Sequence, residues 1–142
     1  MRYPNPAIWL CSLLFAGVVA AAGLPRTAAP EGAKLYFISP KAGEVVNGPV
    51  TVRFGLSGMG IAPAGTVGAA TGHHHLIVDA PLPALDQPLP MDEKHLHFGK
   101  GQTETTLTLK PGKHTLQLIL GDHNHIPHDP EVVSEQITIT VK

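Results

Sequence analysis

The apolar residues of this chain recur in short runs of period two. Leu35 and Phe37 alternate within KLYFIS, and Val50, Val52, Phe54 and Leu56 alternate with Thr51 and Arg53. Leu107 and Leu109 alternate with Thr106 and Thr108. Leu116, Leu118 and Leu120 alternate with Thr115 and Gln117, and Ile137, Ile139 and Val141 with Thr138 and Thr140. Successive side chains of a strand point to opposite faces, so each run predicts a half-buried strand. His73 to Val78 predicts another, apolar on both faces at its end, and HLHF (95–98) a short extended piece stopped by Gly99 and Gly101. No stretch carries a helical period.

The intervals read as turns and loops. PKAGEVVNGP (40–49) is dense in turn residues, and residues 57–72 form a Gly/Ala-rich loop. Residues 80–93 are Pro-rich, which excludes a central strand because proline lacks the ladder N–H. In Lys-Pro-Gly-Lys, Pro111 and Gly112 sit where a type II turn wants them, so the flanking leucine runs predict a hairpin. The sum is an all-β chain: an immunoglobulin-like antiparallel β-sandwich of about seven strands. Alternation gives each sheet one buried face, as such a sandwich requires.

The first residues do not belong to that pattern. After Arg2, the run AIWLCSLLFAGVVAAA from Ala7 to Ala22 is short for a membrane span and ends in an A-x-A site before Gly23. It reads as a cleaved signal peptide over residues 1–22, with an uncleaved anchor as the alternative. Residues 23–33 read as a flexible lead-in and residues 34–142 as one β-sandwich domain. Cleavage leaves a periplasmic or secreted chain with no stable membrane insertion. Cys11, the single cysteine, leaves with the signal, so disulfides and thiolate metal sites are excluded. Removing Arg2 from ten basic residues leaves nine against eleven acidic ones, a net charge near −2 with no basic patch, so nucleic acid is not an expected partner.

Histidine changes the picture. Eight of nine fall in three windows: GHHHLIVD (72–79), HLH (95–97) and GDHNHIPH (121–128). On a strand, His73 and His75 share one face, while His74 joins Leu76 and Val78 on the other. His95 and His97 share a face opposite Leu96 and Phe98, and His123 and His125 repeat the spacing. The Cβ atoms of such a pair lie roughly 6.5–7 Å apart, close enough for two imidazoles to converge on one ion. Neutral imidazole ligates copper and zinc, and also suits nickel and iron. The expected ligands are His73, His75, His95, His97, His123 and His125, with His74, His128 and Met91 as possible additions. Asp79, Asp122 and Asp129, together with Asp92, are candidates to orient the imidazoles.

Two other readings compete: a metal-free histidine hydrogen-bond network serving structure or protein interaction, and a pH switch. His114 shares parity with Leu116 and reads as a strand-flanking residue. Catalytic signatures are thin. There is no G-x-S-x-G, no H-E-x-x-H and no nucleophilic cysteine in the exported chain. The glycines of 57–72 precede no helix that would cap a phosphate. A metal-dependent enzyme remains the remote alternative.

GHHHLIVD, HLHFGKGQTE, LGDHNHIPHDP and SEQITITV, in that order, resemble the family catalogued as domain of unknown function 4399, small secreted bacterial proteins, over about residues 65–142. The resemblance implies an exported domain with His73 to His75, His95, His97, His123, His125 and His128 at motif positions. It implies no activity. A looser likeness to copper/zinc superoxide dismutases, β-sandwiches with H-x-H ligands, departs in the missing cysteines and the flanking motifs. The expectation is a module that binds copper first, zinc second, for periplasmic binding, buffering or delivery rather than catalysis.

Overall fold

A computed structural model describes residues 24–142. The signal peptide read over 1–22, with Cys11, lies outside the described residues. The strands are β1 (Lys34–Ser39), β2 (Val45–Val46), β3 (Val50–Ser57), β4 (Gly60–Ile61), β5 (Thr71–Val78), β6 (His95–His97), β7 (Glu104–Leu107), β8 (Gly112–Gly121) and β9 (Ile137–Val141). One sheet has the order β1-β3-β7. The other runs β2-β9-β8-β5-β4, with β6 also paired to β5. No helix among the described residues is long and apolar enough to cross a membrane.

The two sheets face each other across one core, an immunoglobulin-like β-sandwich. Leu35, Val50, Val52 and Phe54 from the first sheet meet Leu76, Val78, Leu116, Leu118, Leu120, Ile137, Ile139 and Val141 from the second. These are the inward positions of the period-two runs, and burying each such side chain stabilises the fold by about 1.5–3 kcal/mol. The second sheet also buries part of its outer face. There Ile77, Ile119 and Leu89 form a smaller apolar cluster with Ala80, Leu85 and Val133. The Pro-rich loop supplies Leu85 and Leu89. It lies over the sheet as a cover, which needs no ladder N–H.

Four expectations need correction. The strands number nine among the described residues, because two-residue strands form inside the 40–49 turn region and the 57–72 loop. The sandwich is not wholly antiparallel, since β2 pairs with β9 and β4 with β5 in parallel. The leucine runs around Pro111-Gly112 do not form a hairpin. β7 pairs with β3 in the first sheet, while β8 pairs with β5 and β9 in the second. Alternation reports the buried face of a strand and not its partner, and both leucine rows reach the same core from opposite sides. Residues 24–33, read as a lead-in, are tied to the domain. The Ala29 amide donates to Asp129 O at 2.9 Å, the Asp129 amide to Thr27 O at 2.9 Å, and Arg26 caps the Pro127 and His128 carbonyls.

Candidate metal centre

β5 is the central element. β8 flanks it on one side, and β4 and β6 share the other. Its parity is that of the sequence. His74 faces the sandwich core, where its ring lies 5.0 Å from that of Phe54. His73, His75 and Ile77 face outward. Register then places His97 of β6 directly opposite His75, and Gly121 of β8 directly opposite His73. A side chain at Gly121 would crowd the site, because its Cβ would lie 3.0 Å from His75 Nε2 and 3.4 Å from His125 Cα. Gly99 makes similar room, for a Cβ there would collide with the His97 ring.

The fourth ring comes from a turn. After β8, Asp122 folds the chain back on itself. Its Oδ1 accepts the Asn124 and Ile126 amides at 2.8 and 3.0 Å, and its Oδ2 accepts the Thr27 hydroxyl at 2.6 Å. Such a side-chain-to-backbone turn tolerates left-handed residues, and His125 adopts φ of 66°. The His125 carbonyl is held by the Leu89 amide at 2.8 Å, which pins the turn to the Pro-rich cover. His125 thus lies on a turn, not on the strand its spacing suggests.

Four imidazoles meet over the outer face of the sheet. Ring centres are 4.9 Å apart for His73–His75, 5.0 Å for His73–His97, 5.0 Å for His73–His125 and 5.0 Å for His75–His97. His75–His125 is 6.0 Å and His97–His125 is 4.8 Å. One ring nitrogen each from His73, His97 and His125 lies within 4.8 Å of the others, a spacing suited to a shared ion. His75 Nε2 lies 3.0 Å from His73 Nε2. His73 and His75 are buried, while His97 and His125 are half-buried. His73 Nδ1, His75 Nδ1 and His97 Nε2 are buried without a hydrogen-bond partner in the protein.

The setting disfavours the charged form of three of these rings. Burial lowers the His73 pKa to about 4, helped by His125 and His97 and opposed by Asp122. Burial lowers His75 further, to about 2, with His73, His97 and His125 adding repulsion. His97 is lowered by burial and by His125. Each shift has the sign that desolvation and like charge impose on a cation. Near neutral pH His73, His75 and His97 therefore offer lone pairs rather than charges.

The remaining candidates go elsewhere. The His95 ring turns to Asp92, with Nδ1 2.9 Å from Oδ1, although its parity matches His97. His123 pairs with the Asn124 side chain at 2.9 Å. His128 is fully buried with its ring nitrogens 3.4 Å from Leu120 O and 3.1 Å from Thr71 O, a staple between backbone segments. His74 lies across the sheet from the four rings. Met91 is 62 % exposed. Asp79 holds His114, 2.7 Å from Oδ2 to Nδ1, and Asp129 pairs with Arg26 at 3.5 Å. Asp122 builds the His125 turn through backbone atoms. No carboxylate is hydrogen-bonded to any of the four clustered rings. The sequence reading missed Gly99 and Gly121 as space-makers, and glycines directly beside histidine motifs were the available signal. An open groove of about 240 Å³ lined by Tyr36, Phe37, Lys41, Ser134 and Glu135, among others, contains no histidine.

No curated protein matches the chain. A solved structure of Clostridium thermocellum CbhA fibronectin(III)-like modules is similar at 12 % identity and a TM-score of 0.38, covering 75 % of this chain and 92 % of that one. A family model matches residues 52–142, the stretch that holds all nine histidines, and the chain belongs to that family, the domain of unknown function 4399.

Proposed function

We propose that this protein is an exported module that holds one transition-metal ion, copper before zinc, through His73, His75, His97 and His125. Its role is binding, buffering or delivery outside the cytoplasm. One observation carries the reading: four imidazoles from three separate chain segments converge, and one ring nitrogen each from His73, His97 and His125 lies within 4.8 Å of the others. Imidazole nitrogens are ordinary ligands for both metals. A hydrogen-bond network is the weaker account, because the four rings share a single ring-to-ring hydrogen bond, His73 to His75. Export rests on the apolar run before Gly23.

The test is elemental analysis of the protein purified without a histidine tag. A His75→Ala/His97→Ala/His125→Ala variant is purified in parallel. About one copper or zinc per chain is expected in the first and none in the second. A metal-free protein that takes up neither ion on titration overturns the reading and turns the search to a protein or small-molecule partner.

A further inference from the structure

We propose that the four-histidine centre selects the monovalent copper ion over divalent zinc and divalent copper. This deepens the metal-binding reading and rests on it. The argument has two steps, geometry and then charge.

Geometry reduces the field to ions without a tetragonal preference. With a metal–nitrogen distance of about 2.0–2.1 Å, a tetrahedral set of four imidazoles places all six pairs of ring centres roughly 5.2 Å apart. A square-planar set instead gives four separations of roughly 4.5 Å and two of roughly 6.4 Å at the same bond length. The six separations run from 4.8 to 6.0 Å. Planarity needs two long diagonals that share no ring. His75–His125 is 6.0 Å, but its complement, His73–His97, is only 5.0 Å. The four ring centres form a slightly flattened tetrahedron. It suits monovalent copper and divalent zinc and opposes the tetragonal field of divalent copper. The 3.0 Å separation of His73 Nε2 and His75 Nε2 is close to one edge of such a tetrahedron.

Charge then separates the two that remain. Imidazole ligands bring no negative charge to an ion. A bound divalent ion would place two positive charges beside His73 and His75, both buried at 2 % exposure or less, with Asp122 the carboxylate whose charge reaches His73. The cost of burying charge rises with its square, so a divalent ion carries roughly four times the penalty of a monovalent one. The usual remedy is a carboxylate that accepts the second ring N–H of a ligating histidine and raises its basicity. It is missing here. His73 Nδ1 and His75 Nδ1 have no protein acceptor. The four nearby aspartates are committed to other partners: Asp79 to His114, Asp92 to His95, Asp129 to Arg26, and Asp122 to its turn and Thr27. Ligands that bring no negative charge, two of them buried, favour the ion of lower charge.

The experiment is a set of anaerobic competition titrations of the purified protein. Monovalent copper is titrated against a chromophoric copper(I) chelator, and divalent zinc against a chromophoric zinc chelator. The expected result is one monovalent copper per chain, bound at least about 100-fold more tightly than zinc. His97→Ala, which removes a half-buried ring, loses that affinity while still melting cooperatively. His123→Ala, outside the four, retains it. Zinc binding as tight as copper(I), or tighter, overturns the selectivity and leaves the metal-binding reading standing. A folded protein that binds neither ion overturns both.

Discussion

His74 offers the cleanest test of how histidines load this fold. It faces the sandwich core at 1 % exposure, and neither ring nitrogen has a partner. Burial alone lowers its pKa from 6.5 to about 4. The folded state therefore binds fewer protons than the unfolded chain below pH 6.5. Stability from this group is complete above that pH and is lost as the pH falls toward 4. At pH 5 the loss is about 2 kcal/mol, taking 1.36 kcal/mol per pH unit over the unfolded pKa of 6.5. The perturbation is His74→Leu. At pH 7.5 the variant should match or exceed the wild type, within about 1 kcal/mol, because it removes two orphan polar atoms from an apolar site. At pH 5 its advantage should grow by about 2 kcal/mol. Urea unfolding with chelator present reads this directly. With a slope of about 1–1.5 kcal/mol per molar urea, the gap between midpoints widens by roughly 1.5 M from pH 7.5 to 5. Chelator is included because an ion at the proposed site would compete with protons for His73 and His75, which titrate in the same direction. Parallel loss of stability in wild type and variant would refute the reasoning.

Other outcomes follow from the same contacts. Copper(I) or zinc at about 100 times its Kd should stabilise the protein by about 2.7 kcal/mol, a rise in Tm of roughly 10 °C, and differential scanning fluorimetry with His97→Ala should show no such rise. Asp122→Ala strands the amides and hydroxyl its carboxylate accepts, so calorimetry should find it about 2–4 kcal/mol less stable, and equilibrium dialysis should find it weaker for metal because His125 loses its turn. Gly99→Ala should leave Tm nearly unchanged yet weaken metal binding in a chelator competition, since the new Cβ displaces the His97 ring. The Asp79–His114 pair raises the His114 pKa and lowers that of Asp79. Its stabilisation is complete below pH 6.5, is lost as the pH rises through the raised His114 value, and is also lost in acid as Asp79 protonates. A double-mutant cycle near pH 6 should give a coupling of about 0.5–1 kcal/mol, shrinking at pH 9.

Parity was the legible part of the site. His73 and His75 point one way and His74 the other because β5 is a regular strand with an unbroken register to β8. The H-x-H in HLH reads correctly for face but not for role, since Asp92 sits three residues before His95 and captures its ring. The H-x-H at 123–125 misleads, because an Asp122-centred turn sets that backbone. The Asp-x-Asn step was visible in the sequence, and its turn chemistry outweighs the strand spacing. Acids near the histidine windows were matched by sequence distance, whereas Asp79 finds His114, 35 residues away, across the end of β5. Strand partners were not legible for a related reason. Leu107 and Leu116 flank the same turn and face the same core, and nothing in their alternation says that they belong to different sheets.

The position of the cluster argues that it was kept for a purpose other than stability. Ile77 and Ile119 continue the same outer face under the Pro-rich cover, so aliphatic residues at 73 and 75 would have extended that apolar cluster. The chain instead holds imidazoles there and carries three orphan nitrogens, each worth about 1–3 kcal/mol of destabilisation, in a domain class whose whole stability is about 5–15 kcal/mol. Breaks of local consistency on that scale concentrate at functional sites. Their supports differ as well. His73 and His75 stand on β5, paired along both edges, while His97 sits on a three-residue strand and His125 on a turn. The two rigid rings are the buried ones and the two adjustable rings are half-exposed. The proposed site therefore meets solvent on the side of His97 and His125, the side held by a short strand and a turn.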